Sequence, residues 1–259
     1  ITLKEALDMG TFIVTEIGEG GNVPELKVIN KGDIPVILLD GEELSGAKQN
    51  RVLNTTVLIA GMSETVIPVS CTEHGRWSYT SSEFRDSDLI MAYNIKRKKA
   101  RSVMRNVRET GRYASDQGEV WDDIQAMSGN AKVHSSTGAM KDVFESREKD
   151  LDDYLNAITM MPEQRGMMVI INGVLMGFDV LSSNTAYAKL HQKLLKSCAI
   201  EALLDRKKKT ITPNPAIVEG FLQEIITCNE TKHKSVGLGI DYRFEGKEKV
   251  GTALVHEDN

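Results

Sequence analysis

Three features of the 259-residue sequence predict an α+β fold: a β-rich opening, a charged helix-prone middle, and a mixed final third carrying one strong hairpin signal. The reading is one α+β domain over residues 1–259. It places a β-rich, sandwich-like sheet in 1–80, a helical insert in 89–158, and a C-terminal hairpin, helices and closing strands in 166–259.

The β-rich part rests on FIVTEI (12–17), ELKVIN (25–30), PVILL (35–39), NTTVLIA (54–60) and TVIPVSC (65–71). These are short β-branched runs, and GEGGN, NKGD and AGMSE supply turn chemistry between them. Short strands at that spacing fit an antiparallel sandwich or a curled sheet. From Leu89 to Ile158 the text turns charged and helix-prone. Arg97, Arg101, Arg105 and Arg108 recur at three- and four-residue steps, which puts them on one helical face. EVWDDIQAM (119–127) and AMKDVFESREKDLDDYLNAI (139–158) read as further helices, the latter with a stripe of Met140, Phe144, Leu151, Leu155 and Ile158. In MMVIINGVLMGFDVL, Asn172-Gly173 separates two apolar runs and tolerates positive φ at both turn positions, which predicts a hairpin. Ser183 or Asn184 can cap a following helix over TAYAKLHQKLLKSCAIEALL. Pro215 suits the first turn of AIVEGFLQEII. KSVGLGIDYRF (234–244) and VGTALVH (250–256) read as closing strands.

Composition narrows the function classes. Apolar residues make up 41% and charged residues 27%, enough of each to bury a core and face water. A net charge of −5 disfavours nonspecific nucleic-acid binding by the whole molecule. The longest apolar runs, such as MMVII (167–171), are too short to span a bilayer, so no membrane segment is expected. No signal-peptide pattern opens the chain, although a leader preceding Ile1 stays open. Cys71, Cys198 and Cys228 are odd in number, far apart and outside any CxxC, which argues against a disulfide framework and a thiolate metal site. The five histidines form no HxH or HExxH, so no metal is expected. A reducing, cytoplasmic setting fits best. The sequence names no cofactor and leaves homo-oligomerisation open.

Two stretches concentrate chemistry. In VSCTEHGRW (69–77), strand alternation puts Val69, Cys71 and Glu73 on one face and Pro68, Ser70 and Thr72 on the other. A neighbouring carboxylate raises a thiol pKa, so Cys71 reads as a small buried hydrophobe rather than a nucleophile. An inward Glu73 needs a cationic partner, for which Arg51 and Arg76 are candidates. The pair is either purely structural, or Glu73 is a carboxylate that binds a ribose hydroxyl, holds a metal or acts as a base. Arg76 and Trp77 would lie at the mouth of whatever the strand end borders. In LLDGEELSGAKQNRVLN (38–54), Gly41 and Gly46 give turn freedom around Glu42 and Glu43, a pattern common in solvated loops. Gln49 and Arg51 nevertheless alternate into the next strand, and an inward arginine there must find a carboxylate or an anion. GEGG (18–21) lacks the lysine and helix of a phosphate loop. The basic run KRKKARSVMRNVRETGR (96–112) reads as a solvated helix face paired with acids, and a nucleic-acid partner is not favoured.

VILLDGEELSGAKQNRVLN, IPVSCTEHGRW, GEVWDDI, NGVLMGFDVLSS leading into KLLKSCAIEAL, and the closing GTALVH together resemble one family. It is the first type of ADP-ribosylglycohydrolase and rhodanese-phosphatase-superfamily-associated protein domain, a domain of unknown function. The resemblance extends over most of the chain. It implies an association with enzymes that handle NAD and ADP-ribose. It also implies polar positions at Glu42, Gln49, Arg51, Cys71, Glu73, Arg76 and Trp77, and a further apolar strand after His256. The expectation is a nucleotide- or ADP-ribose-like ligand in a polar pocket. Glu73 would be the catalytic carboxylate of a hydrolase, and Glu42, Gln49, Arg51, Cys71, Arg76 and Trp77 would contact ligand. The alternative is a non-enzymatic assembly or regulatory protein in which the same cluster is structural.

Overall fold

The computed structural model describes residues 1–18, 20–205 and 215–257. Over these, helix α1 (Leu3–Asp8) leads into eight strands: β1 (Phe12–Glu16), β2 (Glu25–Asn30), β3 (Val36–Leu38), β4 (Glu42–Gly46), β5 (Arg51–Leu53), β6 (Val57–Ile59), β7 (Ser63–Cys71) and β8 (Phe84–Ile90). Four helices follow: α2 (Tyr93–Thr110), α3 (Gln117–Ala131), α4 (Met140–Ser146) and α5 (Glu148–Ala157). The remainder comprises β9 (Gly166–Ile171), β10 (Val174–Val180), α6 (Asn184–Leu204), α7 (Pro215–Ile226), β11 (Asn229–Lys234), β12 (Ile240–Glu245) and β13 (Val250–Val255).

Six antiparallel strands form a curled sheet in the order β1-β2-β7-β5-β4-β8. Alternation divides its residues between two cores. Val14, Leu26, Val28, Leu44, Leu53 and Val69 turn inward and pack with the short β3–β6 pair and with Leu3 and Ala6 of α1. Val52 points the other way, into a second core built from α2 to α5 and the end of α6. The site lies where the inward faces of β1, β5 and β7 reach the end of the sheet.

The other elements have local causes. Thr2 closes a capping box with Glu5 over α1. Ser183 caps α6 by accepting from the Ala186 amide. Asn172 and Gly173 both hold positive φ, at 49° and 79°, and join β9 to β10 as expected of Asn-Gly. A bulge follows at Leu175/Gly177, where φ of Gly177 is 158° and an added Cβ would lie 1.8 Å from the Tyr93 hydroxyl, so glycine is required there. Arg97, Arg101, Arg105 and Arg108 form the exposed face of α2, with Arg108 paired to Glu245.

Four elements were not legible in the sequence. Strand β4 carries Glu42 and Glu43 and reads as a charged loop, yet both side chains are buried. Strand β8 (FRDSDLI) and strand β11 (NETKHK) are too polar to register as strands, and α1 is only six residues long. Expected strands are shorter than read at three places: residues 35–39 give a strand only at Val36–Leu38, residues 54–60 only at Val57–Ile59, and in 234–244 Lys234 ends β11 and the next strand starts at Ile240.

Candidate functional site

Strands β5 and β7 pair Arg51 directly opposite Cys71, both on the inward face. Arg51 is fully buried. Its Nη1 donates to the Gln49 backbone oxygen and to Gln49 Oε1, each at 3.2 Å. The carboxylate it requires is Glu16 of β1, whose Oε1 lies 3.6 Å from Arg51 Nη2. Neither Nη2 nor Nε of Arg51 completes a hydrogen bond, and nor does Glu16 Oε2. The Trp77 ring covers this pair, with the Arg51 guanidinium 5.7 Å from its centroid and Lys48 Nζ at 5.2 Å. Lys48 Nζ also sits 5.0 Å from the Tyr79 ring and donates to the Gly20 carbonyl. Gly20 belongs to the GEGG turn, of which Glu19 lies outside the described residues. Burial pushes the Cys71 thiol up to about 11 despite the pull of Arg51, so it stays protonated and inert near neutrality.

Strand β7 ends at Cys71, and Glu73 belongs to the turn beyond it. Of its two candidate partners Glu73 takes Arg76. Arg76 Nε donates to Oε1 at 2.9 Å and Nη2 to Oε2 at 2.6 Å, and the Asn50 amide donates to Oε2 at 3.1 Å. Burial pushes the Glu73 carboxyl up, but hydrogen bonds from Arg76, Thr137 and Asn50 outweigh it and hold the group below its ordinary value. Arg76 spends its remaining capacity on the carbonyls of Ala47, Ser78 and Gly46 and on the oxygens of Thr80 and Asn50. The stretches 42–51 and 71–77 are therefore one structure. Gln49 reaches it too, through Nε2 to the His74 carbonyl at 3.4 Å.

Glu42 does not join this cluster. Its Oε2 accepts from the Leu39 amide, and its Oε1 pairs with Lys193 of α6, which also binds Asp86. Glu43 lies opposite Val52 and faces the same side of the sheet, away from Arg51. Thr72 donates to Glu43 Oε1 at 2.6 Å, while Oε2 faces the Ser87 hydroxyl without a completed hydrogen bond. Burial pushes the Glu43 carboxyl up to about 7.

Two clefts flank the loop after Trp77. One, of about 850 Å³, is bordered by Glu16, Tyr79, Thr80 and Ser81; the other, of about 360 Å³, by Glu73, Arg76, Arg85, Lys141 and the same Thr80 and Ser81. Sequence reasoning missed Glu16, Glu43, Tyr79, Arg85 and Lys141 as site residues. Glu16 was legible in principle: Phe12, Val14 and Glu16 share one strand face, so the carboxylate had to be inward. No local signal marks Arg85 or Lys141. Among the described residues, no three His, Cys, Asp or Glu side chains are grouped as a metal site would need. Nor is any described helix long and apolar enough to cross a membrane.

Fold and site define an α+β protein with a buried acid–base cluster at one end of a curled antiparallel sheet. The chain belongs to the ARPP-1 family, the ARG and Rhodanese-Phosphatase-superfamily-associated Protein domain, whose family model matches residues 1–259. No curated protein and no solved structure matches it.

Proposed function

We propose that the chain binds a nucleotide-like ligand of the ADP-ribose class beside Trp77 and Tyr79. The observation that carries this reading is a pair of half-exposed aromatic rings, at 49% and 51%, of which Tyr79 lines the larger cleft together with Thr15, Thr80 and Ser82. An aromatic face takes a base by stacking, and threonine and serine hydroxyls hydrogen-bond sugar oxygens. Arg51, being fully enclosed, contributes the positive field beneath Trp77 rather than a ligand contact. A thermal-shift screen with ADP-ribose, NAD, ADP and AMP tests the reading. A ligand at a hundred times its dissociation constant adds about 2.7 kcal/mol to the folded state. Trp77→Ala should abolish that shift while leaving the unliganded melting temperature nearly unchanged. Absence of any shift in the parent protein rejects the reading.

If the ligand is turned over, hydrolysis assisted by Glu73 is the simplest chemistry, since this carboxylate borders the second cleft and is held ionised. Glu73→Gln should then stop turnover and keep the fold; unchanged turnover removes Glu73 from the mechanism. One observation favours a second reading, a non-enzymatic assembly or regulatory protein. Arg76 binds three backbone carbonyls and so ties the loop 46–50 to the loop 73–80. Under that reading Arg76→Ala lowers stability and no nucleotide shifts the parent protein.

A further inference from the structure

We infer that the cleft between Arg85 of β8 and Lys141 of α4 is a phosphate-binding site, and that these two residues hold the phosphoryl groups of the ligand proposed above. The inference rests on that reading for the identity of the ligand, and on separate residues for its own support.

The charge balance of the cleft is the first argument. Glu73 and Arg76 neutralise each other through two hydrogen bonds, and Arg76 gives its other donors to protein oxygens. Arg76 therefore has no donor left for a ligand. Arg85 borders the same cleft, is exposed, and takes part in no ion pair or hydrogen bond of its side chain among the described residues. Lys141 comes from a different element, and among the described residues it pairs only with the largely exposed Glu145, at 3.1 Å. Such a surface pair contributes little and yields readily to a stronger anion. One cation from a strand and one from a helix thus border the same cleft of about 360 Å³, with Ser45 and Ser81 also on its lining. A guanidinium fork and an ammonium match the donor set that phosphate oxygens select.

Position is the second argument. Thr80 and Ser81 border both clefts. A ligand with its base at Tyr79 would therefore pass across these residues and present its phosphates to Arg85 and Lys141. Arg51 and Arg76 are excluded from that contact, the first by complete burial and the second by saturation.

The experiment is titration calorimetry of the full chain with inorganic pyrophosphate, ADP-ribose and adenosine, comparing the parent protein with Arg85→Ala and Lys141→Ala. Both substitutions are outside the buried cores, so folding is retained, and circular dichroism checks this. Pyrophosphate and ADP-ribose should bind the parent protein and weaken by roughly tenfold in each variant, the size expected for one charge-assisted contact. Adenosine affinity should not change. Unchanged pyrophosphate and ADP-ribose affinities in both variants overturn the phosphate site, and so does a parent protein that binds neither. Pyrophosphate binding that depends on Arg85 and Lys141, without adenosine or ADP-ribose binding, upholds the site and rejects the nucleotide reading. ADP-ribose binding indifferent to both substitutions does the reverse.

Discussion

Among the described residues two arginines are fully enclosed, and they are enclosed differently. Arg243 of β12 grips Asp241 with Nε at 2.6 Å and Nη2 at 3.1 Å, and Nη2 also meets the Thr55 hydroxyl at 2.6 Å. Arg51 faces its carboxylate at 3.6 Å and leaves Nε and Nη2 without a hydrogen bond. The first is a closed joint. It fastens the three-stranded β11–β12–β13 sheet to the residues between β5 and β6. The second keeps unmet polar capacity under an exposed tryptophan. Buried charge is costly unless fully partnered, and the Arg51 cluster bears more of that cost than the Arg243 joint.

The largest expected effect separates the two. Arg243→Ala leaves Asp241 buried and unpaired and should cost roughly 3–5 kcal/mol in urea unfolding. A loss below about 1 kcal/mol would reduce the joint to the standing of a surface pair. Arg51→Met should cost less, because Arg51 has fewer completed bonds to lose. Adding Glu16→Gln to it should recover stability, since the double variant removes both charges. A double variant no more stable than Arg51→Met alone would mean Glu16 is not the partner that matters.

The pH dependence sharpens the contrast further. The Glu43 carboxyl titrates at about 7 in the folded chain and near 4.5 when free. Between those values the folded chain binds the extra proton. The stability this contributes, on the order of 3 kcal/mol, is complete below pH 4.5 and is lost as pH rises through 7. Glu43→Gln should flatten that slope in melting curves taken between pH 4.5 and 8; a slope identical to the parent's would move the titration elsewhere. Glu73 has the opposite sign. Its lowered pKa stabilises the fold above the ordinary carboxylate range and is lost on acidification.

The smallest effect is on cysteine. Cys71 and Cys198 are buried, with thiols pushed by burial to about 11 and about 12, whereas Cys228 is partly exposed. Iodoacetamide at pH 8 should label Cys228 in the native chain and spare the other two, as mass spectrometry of tryptic peptides would show. Rapid labelling of Cys71 would mean that the sheet end opens around Arg51.

Much of the architecture was legible because it is written in local pattern. Alternation located β1, β2 and β7, helical periodicity located α2 to α6, and Asn172-Gly173 located a hairpin. The same alternation placed Cys71 and Arg51 inward before any coordinates. It failed at β4 and β8, whose buried charges Glu42 and Asp86 look like solvated text. Lys193, reaching across from α6, pairs with both and makes their burial tolerable.

The sequence by itself determined the α+β class, the inward arginine beside an inert cysteine, and the family. These follow from residue type and from spacing over a few positions, which the backbone's fixed periods convert into faces. The tertiary structure alone decided the partners: Glu16 for Arg51, Arg76 for Glu73, Lys193 for Glu42, and the meeting of Arg85 with Lys141 at one cleft. Partner choice depends on strand order and helix docking. Arg243 and Thr55, 188 positions apart, touch only because the β11–β12–β13 sheet docks beside the segment between β5 and β6, and no window of sequence contains that information.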